Sequence, residues 1–328
     1  MKLRKHYLKH NESISDSQTV ITDIDITNPI SAIDIIYEAT TGSTSCQNHT
    51  LFDDVSKIEL VDGGATYLSD TMKVLSALCA FRTGRFPYHS INEGASKAMR
   101  CGVRILFGRY LGDMDYFLDP KEYTNLQLLL THSLTISATA GFATGTGKLN
   151  VIAHIFKEGT RGKKGTIFSK EIKSFTSASS GEEEVDITTK DVFLGLIIQA
   201  LLSTYRPDEI ITKVKLSFDE DSYKDMELDS EDILAMNRLR FGLFDEIKTL
   251  LQTDGDGALF DLFDIQSASL SALNDLDVAS YDALDSDKVT LQLLSLTTSP
   301  SIAKSSTDTA IQAKVSGFAP FACLFLPH

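Results

Sequence analysis

The residues best spaced to do chemistry are Asp23, Asp25 and Thr27, which form a D-x-D-x-T run with Ile24 and Ile26 between them. Gly255-Asp256 with Asp261 forms a second acidic pattern further on. Carboxylates gathered in this way are raw material for nucleophilic, acid–base and metal chemistry. A plainer reading competes. Asp23 and Asp25 alternate with Ile24 and Ile26, as on a strand with one wet face. Other chemical patterns are incomplete. Gly145-Thr146-Gly147-Lys148 hints at a phosphate loop, but Phe142 stands where the first glycine belongs and Leu149 where the hydroxyl does. Asp254-Gly255-Asp256-Gly257 runs into Ala258 and Leu259, where a calcium loop needs a ligand and a glycine. The seven histidines include no H-E-x-x-H pair, and His132 lies on an apolar strand face, as a core residue would. There is no G-x-S-x-G elbow and no C-x-x-C pair among Cys46, Cys79, Cys101 and Cys323. No cofactor is expected, and the cysteines read as free thiols.

The elements that would position any site are mostly strands. Cys101–Thr135 shows this best. Val103, Ile105 and Phe107 alternate with Arg104 and Leu106, and Leu126, Leu128, Leu130, His132 and Leu134 alternate again. Between them Gly108 predicts a bulge that re-aims Arg109. Asp113, Asp115 and Asp119-Pro120 supply turn chemistry. Two buried strands joined by a long, chemically specified loop predict a β-sandwich. Strands are also predicted over 20–27, 30–38, 55–61 and 149–155. A helix follows Asp70, read as its N-cap. Later strands are expected at 172–175, 184–187, 192–202, 211–218, 289–296 and 311–315, a helix over 229–241 and a buried end at 318–326. Lys157–Gly165, with three glycines and no apolar residue, splits the chain into near halves. Val55-Ser56-Lys57-Ile58-Glu59-Leu60 is echoed by Ile211-Thr212-Lys213-Val214-Lys215-Leu216, which points to duplication.

Several pieces, in order, carry a resemblance. They are Asn28-Pro29-Ile30-Ser31, Val55–Gly63, Phe107-Gly108-Arg109-Tyr110, Leu118-Asp119-Pro120, and Asn125 with Gln127-Leu128. Together, over roughly 23–135, they resemble the first half of the double jelly-roll major capsid proteins of tailless icosahedral viruses. The resemblance implies an all-β fold of two tandem jelly-roll β-sandwiches with short inserted helices. It implies a homotrimer that tiles a capsid lattice, meets penton or minor capsid proteins, and resides in the virion after synthesis in the host cytoplasm. The D-x-D-x-T run is similar to that of the haloacid dehalogenase-like phosphatases. In that family the first Asp is the nucleophile, the second a general acid/base, and Mg²⁺ lies between. That alternative needs a parallel sheet between helices, and this chain reads mostly as strands. A cupin or sugar-binding jelly roll lacks its His-rich triad and its Trp.

The 328 residues suffice for two domains, and 42% hydrophobic content is globular. The expected divisions are an arm at 1–18, a first jelly roll at 19–156, a linker at 157–165 and a second jelly roll at 166–328. No apolar run spans a bilayer, and no secretory signal follows the basic start. Net charge is −14. The first ten residues hold Lys2, Arg4, Lys5 and Lys9 and no acid, whereas Asp219–Asp287 has 19 acids against four cations. Such acidity argues against sequence-specific nucleic-acid binding. The basic arm reads as a tail or as a tether, with Leu3 and Tyr7 on a short helix, reaching an internal membrane, the genome or a neighbouring subunit. Lys2, Arg4, Lys5, Lys9, Arg109, Asp113 and Asp119 are the expected assembly or loop-ordering residues.

Overall fold

The computed structural model describes residues 2–44, 50–84, 87–90, 95–138, 141–158, 162–174, 184–185, 194–199, 211–218, 223–241, 248–250, 259–260, 313–314 and 323–327. Among the described residues of the first half there are eight strands: β1 (Lys2–Ser13), β2 (Ser17–Asp23), β3 (Ile30–Thr40), β4 (Val55–Asp62), β5 (Ala65–Asp70), β6 (Ala98–Leu106), β7 (Leu126–Ser133) and β8 (Lys148–Glu158). They form two antiparallel four-stranded sheets, ordered β1-β8-β3-β6 and β2-β7-β4-β5. Apart from the β4–β5 hairpin, neighbours in each sheet are far apart in the chain, and the two sheets interleave as in an eight-stranded jelly roll. Helical turn α1 (Leu51–Asp54) leads into β4, and α2 (Met72–Thr83) crosses from β5 toward β6.

The period of two explains the core. Ile33, Ile35 and Tyr37 of β3, Val103 and Ile105 of β6, and Leu149, Val151 and Ala153 of β8 point inward from the first sheet. Val20, Ile58, Leu60, Leu68, Leu128 and Leu130 meet them from the second. Fully burying each large aliphatic chain stabilises by roughly 1.5–3 kcal/mol, so this shared layer dominates the favourable side of folding.

Several expectations are corrected. The basic start is neither a loose tail nor a helix. It is strand β1, paired antiparallel with β8 from Lys2↔Glu158 to Ser13↔Lys148, with register shifts after Lys2, Tyr7 and Lys9. An edge strand needs a partner on only one side, and half-buried Leu3, His6 and Leu8 supply that contact. The residue capping α2 is Thr71, whose Oγ1 accepts from Val74 N at 3.2 Å, and Asp70 instead ends β5, a strand not anticipated. Gly108 begins a loop beyond β6 and makes no bulge within it. The predicted linker is partly strand, because β8 runs to Glu158. Chain 164–171 then lies along the sandwich: Ile167 N donates to Phe107 O at 2.9 Å, and Glu171 N to Ser69 O at 2.9 Å. This strap ties the edges of both sheets together. Residues 172–174 and 184–185 are not in strands.

The second half repeats part of this plan. β9 (Gly195–Gln199) pairs with β15 (Cys323–Pro327), and β10 (Lys213–Phe218) with β11 (Tyr223–Asp229). Short strands β12 (Lys248–Leu250), β13 (Leu259–Phe260) and β14 (Ala313–Lys314) form a further sheet. α3 (Ser230–Phe241) packs Ile233 against Leu196, Ile198, Val214 and Leu228. The sequence echo has a structural counterpart. β4, β5 and α2 follow one another as β10, β11 and α3 do, and both helices have 12 residues. The predicted strand 289–296 and the Gly255, Asp256, Asp261 pattern lie outside the described residues.

Ile35 is fully buried and Ile21 is 52% exposed on the outer face of β2. Ile35→Ala is expected to cost about 2–5 kcal/mol in urea unfolding. Ile21→Ala is expected to stay within about 0.5 kcal/mol. Equal effects would contradict the assignment of faces.

Candidate assembly site

The loop between β6 and β7 is built from its own side chains. Asp113 is fully buried and accepts from Arg109 N at 3.0 Å, Nε at 2.7 Å and Nη2 at 3.0 Å, and from Asp115 N at 3.1 Å. The Arg109 guanidinium beside it holds its carboxyl well below the usual range, against the opposing effect of burial. The same bonds push Arg109 upward. The guanidinium also lies 4.9 Å from the Tyr116 ring centroid. Gly108 is required here, because a Cβ would come within 2.7 Å of the Asp113 Cβ and closer still to Tyr116 O. Gly112, at φ 87°, takes the left-handed turn. Asp119 caps the 3-10 turn Pro120–Glu122 by accepting from Lys121 N at 3.2 Å. Held this way, the loop presents Tyr110 and Leu111 to solvent.

The separate motifs of the sequence meet at this loop. Ile30 and Leu118 exchange backbone bonds of 2.7 and 2.9 Å, and Ser31 O accepts from Phe107 N at 3.1 Å. Ser31 Oγ accepts from Gly112 N at 2.7 Å. Asp62 accepts from Asn125 N at 2.6 Å and Thr124 N at 3.1 Å. The run beginning at Asn28 thus anchors one end of the loop and the turn at Asp62 the other.

The basic residues of β1 lie elsewhere, along the edge of the first sheet. Lys2, Arg4 and Lys5 are exposed, and Lys9 pairs with Glu12 at 2.5 Å. Exposed lysines on an open edge strand discourage uncontrolled strand addition. Asp23 ends β2 on the wet face and accepts from Gln127 Nε2 at 2.7 Å, and Asp25 lies beyond the strand. The carboxylates of the D-x-D-x-T run therefore belong to an antiparallel sandwich and not to the parallel sheet a phosphatase of that type requires. Among the described residues no group of three His, Cys, Asp or Glu is placed to hold a metal ion. No helix among them is long and apolar enough to cross a membrane.

Three polar groups are held in or against the sandwich by partners distant in the chain. On the outer face of the first sheet, Asp34 accepts from Arg104 at 2.6 and 2.7 Å and meets His154 Nε2 at 2.7 Å. Burial pushes its carboxyl up, but these partners outweigh burial and hold it at about 2. Inside the core, Tyr37 OH and His132 Nδ1 lie 3.1 Å apart. Burial lowers His132, more than Asp54 and Asp16 raise it. At the end of β5, burial pushes Asp70 up to about 7, opposed by the Ser169 hydroxyl that bonds it and reinforced by Glu171. Alternation marks His132 as inward-facing, but nothing local marks Asp70, because its burial comes from a strap almost 100 residues away.

Asp113→Ala should destabilise by about 1–3 kcal/mol, since it strands a charged donor and two backbone N–H groups. Arg109→Ala should cost less, as the backbone bonds to Asp113 survive. Thermal melts of the two variants check the order. The pH dependence has two arms of opposite sign. Asp70, raised when folded, binds a proton more tightly than in the unfolded chain, so stability should fall as pH rises from about 4 to about 7. His132, lowered when folded, should make stability fall as pH drops below 6.5. Urea midpoints across this range should lose the first arm in Asp70→Asn and the second in His132→Gln.

The chain matches no protein-family model and no curated protein. It is similar to the crystal structure of the STIV major capsid protein, with TM-score 0.52 and 14% identity over 80% of this chain and 85% of that one. It is likewise similar to a chain in the atomic structure of Sulfolobus turreted icosahedral virus, with TM-score 0.54 and 11% identity over 80% of each. Identities this low speak to fold alone. Each match covers 80% of this chain and so extends beyond its first half. This chain has the fold of viral major capsid proteins.

Proposed function

We propose that the chain is a viral major capsid protein that assembles as pseudo-hexagonal trimers into an icosahedral shell. The observation that carries this reading is the jelly-roll strand order of the first half, followed by a second β-rich half in which the strand–strand–helix unit returns. Two such sandwiches per chain, three chains per tile, give six barrels around one axis. The mechanism is association and not turnover. Barrels standing side by side would bury interfaces of roughly 2,000 Å² or more, the range of obligate assemblies. The division into one jelly roll before the Lys157–Gly165 region and one after it belongs to the same proposal.

Several finer roles follow from it. The self-ordered loop of Arg109, Asp113 and Asp119 would keep its shape on joining a neighbour, so little conformational entropy is lost. The acidic 219–287 segment would contribute to the outer surface. Penton or minor capsid proteins would fill positions that trimers cannot, and the finished protein would reside in the virion after synthesis in the host cytoplasm. An internal membrane or the genome would meet the inner ends of the barrels. The expected tether to them from residues 1–18 loses its basis, because a strand locked into a sheet cannot reach out.

Light scattering and negative-stain images of purified protein test this reading. Particles of three times 36.0 kDa with pseudo-hexagonal outline, or closed shells, are expected. A monomer at every concentration, releasing phosphate from a generic ester with Mg²⁺, would overturn it in favour of the phosphatase.

A further inference from the structure

Two exposed patches of opposite character lie at opposite ends of the described molecule. The first is β1, the outermost strand of its sheet. Lys2, Arg4 and Lys5 are exposed there and have no anionic partner among the described residues. Tyr7 is 51% exposed, stacks edge-on against His10 at 4.6 Å, and sits in register with Ile152 on the outer face. The second patch is the outer side of α3. Its inner side is spoken for, with Ile233 buried. Outward it carries Glu231 and Asp232 in the first turn, then Met236 and Leu239, 55% and 89% exposed, with exposed Arg240 in the last turn. Asp232, Met236 and Leu239 follow i, i+4, i+7 spacing and share one stripe.

The placement of these patches decides what they can bind. α2 packs on β6, the far edge of the first sheet from β1, and also touches β9 and β15, while α3 packs on β15. The helix therefore belongs to the β6 end of the molecule. A sheet three strand spacings wide, about 14 Å, separates β6 from β1. The two patches of one chain therefore lie toward opposite edges of the first sheet. A cationic edge with an aromatic beside it, and an anionic helix turn with two bare apolar side chains, are complementary in sign and in polarity.

We propose that the β1 edge of one copy docks on the outer face of α3 in the next copy. This rests on the shell-building reading above and names the surfaces that perform it. The contact is heterologous, front to back, so it either closes into a ring or runs on as a filament. Closure after three copies gives the trimer. The ion pairs at the rim set register and speed of encounter, and Tyr7, Met236 and Leu239 supply the water-excluding centre. The lysine-bearing edge is thus guarded against indiscriminate strand pairing while remaining specific for an acidic partner.

Charge reversal tests it. Lys2→Glu with Arg4→Glu and Lys5→Glu, or Glu231→Lys with Asp232→Lys, should each weaken association in sedimentation velocity by about tenfold or more. The chain carrying all five changes should regain it, because both partners are reversed. All the changed residues are exposed, and unchanged circular dichroism shows that the variants fold. Should one fail to fold, wild-type association should still weaken as salt rises from about 0.05 M to about 0.5 M. Trimers that persist unweakened with either reversal alone and are indifferent to salt would overturn this inference and leave the shell reading standing. A wild-type protein that never associates would overturn both. Loss of flotation with phosphatidylglycerol–phosphatidylcholine vesicles in the β1 variant, with its trimers intact, would assign the basic edge to a lipid surface instead.

Discussion

The apolar layer between two four-stranded sheets is the constraint from which the rest follows. Ile33, Ile35 and Tyr37 have no shelter until Ile58, Leu60, Leu128 and Leu130 arrive from the other sheet. Neither sheet is stable alone, because each would leave a whole face of aliphatic chains in water. Closing the layer forces strands distant in sequence to become neighbours. It places β1 and β2 at the two outer edges, and it leaves an open side between β5 and β6 that α2 and the strap from 164 to 171 cover.

The loop after β6 depends on that layer in turn. Its ends are pinned by Ser31, at the start of β3, and Asp62, at the end of β4. Both anchors are fixed only once the sheets have met. Asp113 then satisfies Arg109 and two backbone groups from within, so the loop is a rigid feature of the sandwich. The scattered motifs that gave the chain its family resemblance are the parts of one hydrogen-bonded assembly. That is a physical reason for such residue types to recur together at these spacings.

Much of this was legible in the sequence where alternation was strong. β3, β4, β7 and β8 are buried on one face and flanked by turns, and their residues announce it. The echo was visible too, because Val55–Leu60 and Lys213–Leu216 each lie in a strand with a partner strand and a helix behind it. β1 was not legible. An outer strand needs few apolar residues, and its cations masked the pairing with β8. β5 was hidden for a different reason: Ala65, Thr66 and Ser69 alternate weakly, and Asp70 looked like a helix cap beside Thr71. Its burial comes from Ser169, a contact that no local pattern encodes. The Asp23 and Asp25 pair shows the converse. A catalytic spacing in the sequence became the end of an exposed strand once the sheet direction was known.

The central claim is that a second interleaved sandwich follows the first and that six such barrels surround one threefold axis. A high-resolution electron cryomicroscopy map of the purified oligomer tests it most directly. The account predicts three copies, each with a second eight-stranded unit after residue 165 ordered like the first. A map showing a lone copy, or a carboxyl-terminal half folded as a parallel sheet between helices, would contradict it.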